Sequence, residues 1–104
     1  MIIQIHSDNH LTVSPEYAQK IEGLVGSEVD RFIEYLTRIE VYLSDQNSHK
    51  TTGNDKRCNI EARLKGKPPI AVSEDADNYD LAIMGAAGKL ATTLQTIIEK
   101  RREF

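Results

Sequence analysis

Residues 55–72, DKRCNIEARLKGKPPIAV, decide the architecture of this chain. Polar and apolar residues alternate from Arg57 to Lys65, which is typical of a strand with one buried and one exposed face. A turn signal follows at residues 66–69, GKPP, and the next strand begins at Ile70. The stretch therefore predicts an antiparallel hairpin, whose prolines favour the edge of the sheet because a missing N–H is tolerated there.

The flanking segments extend this hairpin to the order β-α-β-β-β-α. A strand over Ile2 to Ile5 precedes a helix from about residue 15 to 36, for which Ser14 is the predicted cap. A second strand follows at Ile39 to Leu43, and the polar residues 45–55 form a loop before the third strand. The last helix is predicted to run from a cap at Asp77 to about Arg102, with Ile83, Ala87, Leu90, Leu94 and Ile97 on its apolar stripe.

This order predicts an α+β fold with a four-stranded mixed sheet and two helices packed on one face. A helical crossover makes the first two strands parallel, and short connections make the remaining strands an antiparallel meander. The second face of the sheet is then left for solvent or a partner.

Length and composition place the chain among single globular domains. Its 104 residues suit one domain, residues 1–104, with one core. We expect no membrane segment, because no apolar run approaches the roughly 20 residues that a spanning helix needs. The single cysteine excludes an internal disulfide and fits a reducing cytoplasm. The scattered histidines lack the spacing of a metal site, and no motif predicts a cofactor, a small-molecule substrate or catalysis.

Positive charge is concentrated in two parts of this acidic protein, whose formal net charge is -3. Residues 46–67 contain six bases and two acids, and residues 89–104 contain four bases and two acids. The remaining segments are acidic. Such a distribution predicts a local surface for phosphate or acidic partners, even though net charge alone argues against nucleic-acid binding.

Four phrases give the chain a family resemblance. They are IIQIHSDNH at 2–10, RIEVYLSDQNSHK at 38–50, residues 55–72 quoted above, and DNYDLAIMGAAGKLATTL at 77–94. In this order, over nearly the full length, they resemble the ribosome hibernation-promoting factor family, also called ribosomal subunit interface proteins, in a short and divergent form. No single phrase is specific, but the combination is.

The resemblance implies a non-enzymatic, cytoplasmic translation silencer. Its expected partner is the small ribosomal subunit, where it would contact ribosomal RNA in the channel for messenger and transfer RNA during growth arrest. Translation regulation by occlusion and a stress response follow from the same resemblance.

One departure from the family concerns the last helix, which is typically basic after a KL step. Here Lys89 and Leu90 are followed by Thr92, Thr93, Gln95 and Thr96, and positive charge returns only at residues 100–102. Fewer phosphate contacts predict weaker RNA binding with a shallower salt dependence.

The predicted RNA-binding residues are basic side chains of the third strand, the flanking loops and the last helix. They are Lys50, Lys56, Arg57, Arg63, Lys65, Lys67, Lys89, Lys100, Arg101 and Arg102. For the strand residues the alternative is a solvated face whose charges pair with Glu40 and Glu61 across strands. Lys50, beside His49, is alternatively part of a loop tip without function, and residues 100–102 alternatively only complement the helix dipole.

Two further residues and one rival function complete the predictions. Cys58 alternates with Ile60, which favours a buried, unreactive thiol over a nucleophile. Tyr42 is expected on the open side of the sheet beside Arg57 or Arg63, available to stack on a base or a guanidinium, although six aromatic residues argue against an extended base-binding platform.

The alternative function is a protein-interaction or dimerisation module that has lost tight ribosome binding, with a free strand edge or the Ile97–Ile98 pair as its contact.

Overall fold

The structure is a computed structural model that describes residues 1–8, 11–46 and 55–102, with side chains as far as Lys100. Its elements confirm the predicted order β-α-β-β-β-α. They are β1 (Ile2–Ser7), α1 (Pro15–Val29), a 3-10 helix (Asp30–Tyr35), β2 (Leu36–Asp45), β3 (Lys56–Leu64), β4 (Ile70–Ala76) and α2 (Tyr79–Arg102).

The four strands form one sheet in the order β1-β2-β3-β4. β1 pairs with β2 in parallel, whereas β2 with β3 and β3 with β4 are antiparallel. This is the predicted topology, in which a helical crossover is followed by a meander. The β3–β4 turn includes Gly66 at φ 72°, a left-handed conformation that glycine adopts without steric cost.

Both helices cover the same face of the sheet, as predicted, and enclose the core. Ile39, Val41 and Ile60 are fully buried on that face, and so are Leu90 and Leu94 of α2. Because side chains alternate along a strand, every second residue of β2 and β3 is turned away from the helices. We call that side of the sheet the open face.

The first helix ends earlier than its apolar pattern predicted. Ser14 caps it, since its hydroxyl accepts a hydrogen bond from the Tyr17 N–H at 3.1 Å. The α-helix ends at Val29, and a 3-10 helix continues to Tyr35. Val29 and Phe32 are buried and lie three residues apart, a spacing that places both on one side of a helix with three residues per turn.

The start and the stripe of α2 also differ from the prediction. Asn78, not Asp77, caps the helix through a 2.9 Å hydrogen bond from the Leu81 N–H to its side-chain oxygen. The apolar stripe continues to Ile98, which is buried, while Ile97 is half-exposed, because Ile98 follows Leu94 by four residues. β2 is likewise longer than the predicted Ile39–Leu43 strand.

α2 also contradicts the expectation that no segment resembles a membrane span. By length and composition alone, Tyr79–Lys100 is long and apolar enough to cross a bilayer. Eight of its apolar side chains, including Leu90 and Leu94, belong to the core between the sheet and the helices, while Leu81 and Met84 are exposed. Core packing therefore explains its composition.

Two glycines of α2 differ in the space around them. A methyl group at Gly88 would meet nothing within 4 Å, whereas one at Gly85 would lie 2.6 Å from Glu74 Cγ. We predict that Gly88→Ala raises the free energy of unfolding by about 0.5–1 kcal/mol, because alanine is the better helix former. Gly85→Ala should lower it, since Glu74 must move. Urea denaturation of both variants tests this, and equal gains would contradict the tight contact at Gly85.

A polar contact ties α1 to the start of α2. Asp80 accepts hydrogen bonds from the Tyr17 hydroxyl at 2.8 Å and from Lys20 Nζ at 2.7 Å. The bond from Lys20, and then that from Tyr17, lower the pKa of the Asp80 carboxyl. A lowered pKa means that the ionised carboxylate stabilises the fold above the unfolded pKa of about 4, and that this contribution disappears as the pH falls through the folded value.

We therefore predict that Asp80→Asn lowers the free energy of unfolding at pH 7 by about 0.5–1 kcal/mol. The estimate is modest because Lys20 and Asp80 are 54% and 41% exposed and water screens their attraction. Urea denaturation from pH 7 to about pH 2.5 should show the difference from the wild type shrinking. Glu22→Gln, at an exposed position of α1, is the control, and a pH-independent difference would contradict the assigned role of the charge.

Candidate RNA-binding surface

The alternation predicted for β3 is confirmed, but the open face as a whole is balanced in charge. Cys58, Ile60, Ala62 and Leu64 are buried, which leaves the residues between them on the open face. The register aligns these with open-face residues of β2 and β4. On the open face, the charged residues of these three strands are three bases and three acids. They are Arg38, Arg57 and Arg63, and Glu40, Glu61 and Asp75. The excess of bases on β3 is therefore offset by its neighbours, mainly by Asp75 of β4.

Two of the predicted binding residues are held in local ion pairs. Arg57 donates two hydrogen bonds to Asp75, at 2.7 and 3.1 Å, and these bonds raise the pKa of the guanidinium. Lys56 does not share the open face, because it is in step with Cys58 and lies on the helix side. Its ammonium pairs with Asp55 at 2.8 Å and Asp45 at 3.3 Å. The expectation that Lys56 joins a basic sheet face is therefore wrong.

Lys89 lies against the outer edge of the sheet. Its ammonium donates a 2.8 Å hydrogen bond to the Ser73 carbonyl of β4 and pairs with the Glu74 carboxylate. Glu74 packs over Gly85, which provides the space. A lysine on an edge strand discourages pairing with another chain, so Lys89 has a structural role in this position.

Several basic residues meet at one end of the sheet, where β2 begins and β3 ends. Arg38 and Arg63 are direct cross-strand partners on the open face, an arrangement of like charges that is destabilising. Nearby carboxylates offset part of this repulsion, since Glu40 lies 3.7 Å from Arg38 and Glu61 3.3 Å from Arg63. Lys65 and Lys67 follow in the adjoining turn and are exposed.

The end of α2 lies at the same end of the molecule. The Lys65 N–H donates to the Tyr35 carbonyl at 3.0 Å, and Tyr35 lines a groove together with Ile98 and Glu99. Lys100 comes directly after Glu99 and is exposed. We call the group Arg38, Arg63, Lys65, Lys67 and Lys100 the basic end.

The basic end includes four of the predicted residues and one that the sequence did not identify. Arg38 was missed because its importance depends on the strand register, which places it opposite Arg63. The sequence does contain a signal for Arg38: it alternates with Glu40 and Tyr42, which places all three on the same face of β2. Arg101 and Arg102 are the last helical residues, but their side chains, like all of Lys50, lie outside the described residues.

An aromatic pair lies on the open face, away from the basic end. Tyr42 stacks on His6 of β1, with 4.7 Å between ring centroids and 15° between planes. It thus lies on the predicted face, but beside His6 and opposite Asn59 rather than against an arginine. Partial desolvation raises the pKa of the nearby Glu40 carboxyl, but the hydrogen bond from His6 and the charge of Arg38 outweigh it and lower that pKa overall.

Cys58 has the environment of a core residue. It is fully buried, and burial raises the pKa of its thiol to about 12. We predict that the native protein is not labelled by a maleimide at pH 7.5 within the time in which the urea-unfolded protein reacts completely, because the thiolate is the nucleophile. Mass spectrometry measures the labelled fraction, and rapid labelling of the native chain would contradict this assignment.

The fold and its surfaces together indicate a class of protein. The described residues contain no cluster of three or more metal-ligating side chains, and the thiol of Cys58 is buried. What the α+β domain offers a partner is an open sheet face and a basic end, as in a binding domain.

Comparison with known proteins places it in a family. Residues 3–102 match the family described as "Sigma 54 modulation protein / S30EA ribosomal protein". The chain therefore belongs to this family, which confirms the resemblance seen in the sequence. The family is ribosome-associated and in general non-enzymatic, which supports association with the ribosome and a cytoplasmic location. No curated protein matches the sequence.

Solved structures agree on the fold. The Protein Y N-terminal domain of Thermus thermophilus matches with a TM-score of 0.74 and 22% identity, over 93% of this chain and 99% of that one. A ribosomal subunit interface protein of Coxiella burnetii matches with a TM-score of 0.72 and 19% identity, over 95% of this chain and 99% of that one. At these identities the likeness concerns the fold alone.

Proposed function

We propose that this protein binds the small ribosomal subunit in the channel used by messenger and transfer RNA and silences translation when growth stops. It acts by occupying the channel, without catalysis. Family membership supports ribosome association, and the basic end supports RNA as the contact.

The observation on which this proposal depends is the pairing of Arg38 with Arg63. Like charges directly opposite each other destabilise a sheet; Glu40 and Glu61 offset part of this repulsion, and an anionic phosphate between the two guanidiniums would reduce it further. Lys65 and Lys67 extend the same positive surface beyond the strand end. Folded RNA is recognised largely through its shape and backbone, for which a cluster of long basic side chains is suited.

The contact is smaller than a uniformly basic helix would make. Lys89 is engaged by Glu74 and Ser73, and Thr92 and Thr96 are exposed in place of bases. Of the residues predicted from the sequence, we assign phosphate contacts to Arg63, Lys65, Lys67 and Lys100. We add Arg38 to this set.

The first test is co-sedimentation with purified small subunits as the salt concentration is raised. We predict that affinity falls on the order of 10²-fold between about 50 and 200 mM salt, the loss expected for about five phosphate contacts. Binding that does not depend on salt, or no binding at the lowest salt, would contradict the proposal.

Two single variants locate the contact. Lys67→Gln should weaken binding and reduce the slope of log affinity against log salt by about one unit, because one phosphate contact is lost. Lys20→Gln removes the same charge from α1, where Lys20 pairs with Asp80, and should leave the slope unchanged. Equal effects of both variants would show a dependence on net charge and exclude the basic end.

A second candidate function rests on the exposed apolar side chains of α2. Leu81 and Met84 are 51% and 54% exposed, on a helix that lacks the bases typical of the family. A protein-interaction or dimerisation module would use such a surface and would bind independently of salt. Light scattering distinguishes the two functions, because a stable dimer that does not sediment with ribosomes would favour this candidate.

A further inference from the structure

A row of four side chains crosses the open face from one edge of the sheet to the other. His6 pairs with Tyr42, Tyr42 with Asn59, and Asn59 with Ser73. The row begins with two aromatic rings and continues with two short polar side chains. The side chains are shorter beyond Tyr42, and we call the group Tyr42, Asn59 and Ser73 the Tyr42 notch.

The rings at the side of this notch are held in position. His6 covers one face of Tyr42, which leaves the other face directed toward Asn59. Glu40 accepts a hydrogen bond from His6 at 3.1 Å. Tyr42 remains 37% exposed and the His6 side chain 44% exposed. An exposed ring with a fixed orientation loses little conformational entropy when a flat ligand stacks on it.

Asn59 supplies hydrogen-bonding groups beside the ring. It is exposed and offers both an amide donor and a carbonyl acceptor. A flat stacking surface with an amide beside it matches a nucleobase and its hydrogen-bonding edge. Arg57, two residues before Asn59 on β3, is engaged by Asp75 through two hydrogen bonds, so the phosphate contacts of the same RNA strand are those of the basic end.

We propose that the Tyr42 notch binds one unpaired base of single-stranded RNA. The base stacks on the free face of Tyr42, and its edge hydrogen-bonds the Asn59 amide. This inference deepens the proposed function, on which it rests, by adding a base contact to the phosphate contacts of the basic end. Asn59 and Arg63 are four residues apart on β3, about 13 Å, so one RNA strand reaches both.

The test uses the full chain and a fluorescent oligouridine of about eight nucleotides, compared with an abasic oligomer of the same length. Anisotropy at about 50 mM salt should show oligouridine binding about 5- to 150-fold more tightly than the abasic strand, the range measured for one stacked base. Tyr42→Leu should abolish this preference, and Tyr42→Phe should retain it. Lys67→Gln is the matched control, since it should weaken both oligomers equally.

A second measurement keeps the test independent of variant stability. In a titration of the isotope-labelled wild type with oligouridine, backbone amide signals of Tyr42, Asn59 and Ser73 should shift. Shifts confined to other residues, equal binding of both oligomers, or an unchanged preference in a folded Tyr42→Leu variant would each overturn the proposal. Binding of an aromatic or arginine-containing peptide at the notch, without a base preference for RNA, would also overturn it.

The two experiments distinguish failure of the ribosome-binding proposal from failure of the proposed base site at the Tyr42 notch. Salt-sensitive sedimentation with small subunits, without a preference for bases, would leave the ribosome function standing and remove the notch. A base preference that depends on Tyr42, without sedimentation, would establish the notch as an RNA site and would exclude the small subunit as the source of that RNA.

Discussion

The pairing of β3 with both of its neighbours is the constraint on which the rest of the structure depends. Because side chains alternate along a strand, the register that buries Ile60 against α2 also places Arg57 and Arg63 on the open face. A slip of one residue would turn the arginines toward the helices and expose the apolar set, at a cost of several buried side chains. The same pairing therefore determines the core and the charges of the open face.

That register also determines which charges remain available. Opposite Arg57 it places Asp75, and a bidentate pair forms. Opposite Arg63 it places Arg38, a pair of like charges that Glu40 and Glu61 offset only from the side. The excess of bases in residues 46–67 does not by itself produce a basic surface. What produces one is the meeting of Arg38, Arg63 and the β3–β4 turn at one end of the sheet.

Local patterns predicted the elements well, because periodicity, caps and turns act within a few residues. The alternation of β3, the Ser14 cap and the antiparallel hairpin were all evident in the sequence. Contacts between distant residues were not, since no short segment contains both partners. The pairing of Lys56 with Asp45, the position of Lys89 on β4 and the opposition of Arg38 and Arg63 depend on topology and register.

The aromatic pair shows the same limit for the candidate site. A count of phenylalanine, tyrosine and tryptophan argued against an extended platform, and it omitted His6, which lies 36 residues from Tyr42 in sequence but beside it in the sheet. Only the pairing of β1 with β2 brings the two rings together.

The distribution of contacts also explains why the lack of bases between Lys89 and Lys100 of α2 is compatible with RNA binding. Lys89 closes the edge of β4 through Glu74 and Ser73, and Gly85 accommodates Glu74. This part of the surface of α2 therefore contacts the edge strand β4. Cations that would lie along α2 in a typical member are absent, whereas Arg38, Arg63 and the following lysines lie at the sheet end. If RNA binds this protein, the contact is displaced from the helix toward the open face, where Tyr42 and Asn59 supply interactions that a row of lysines does not.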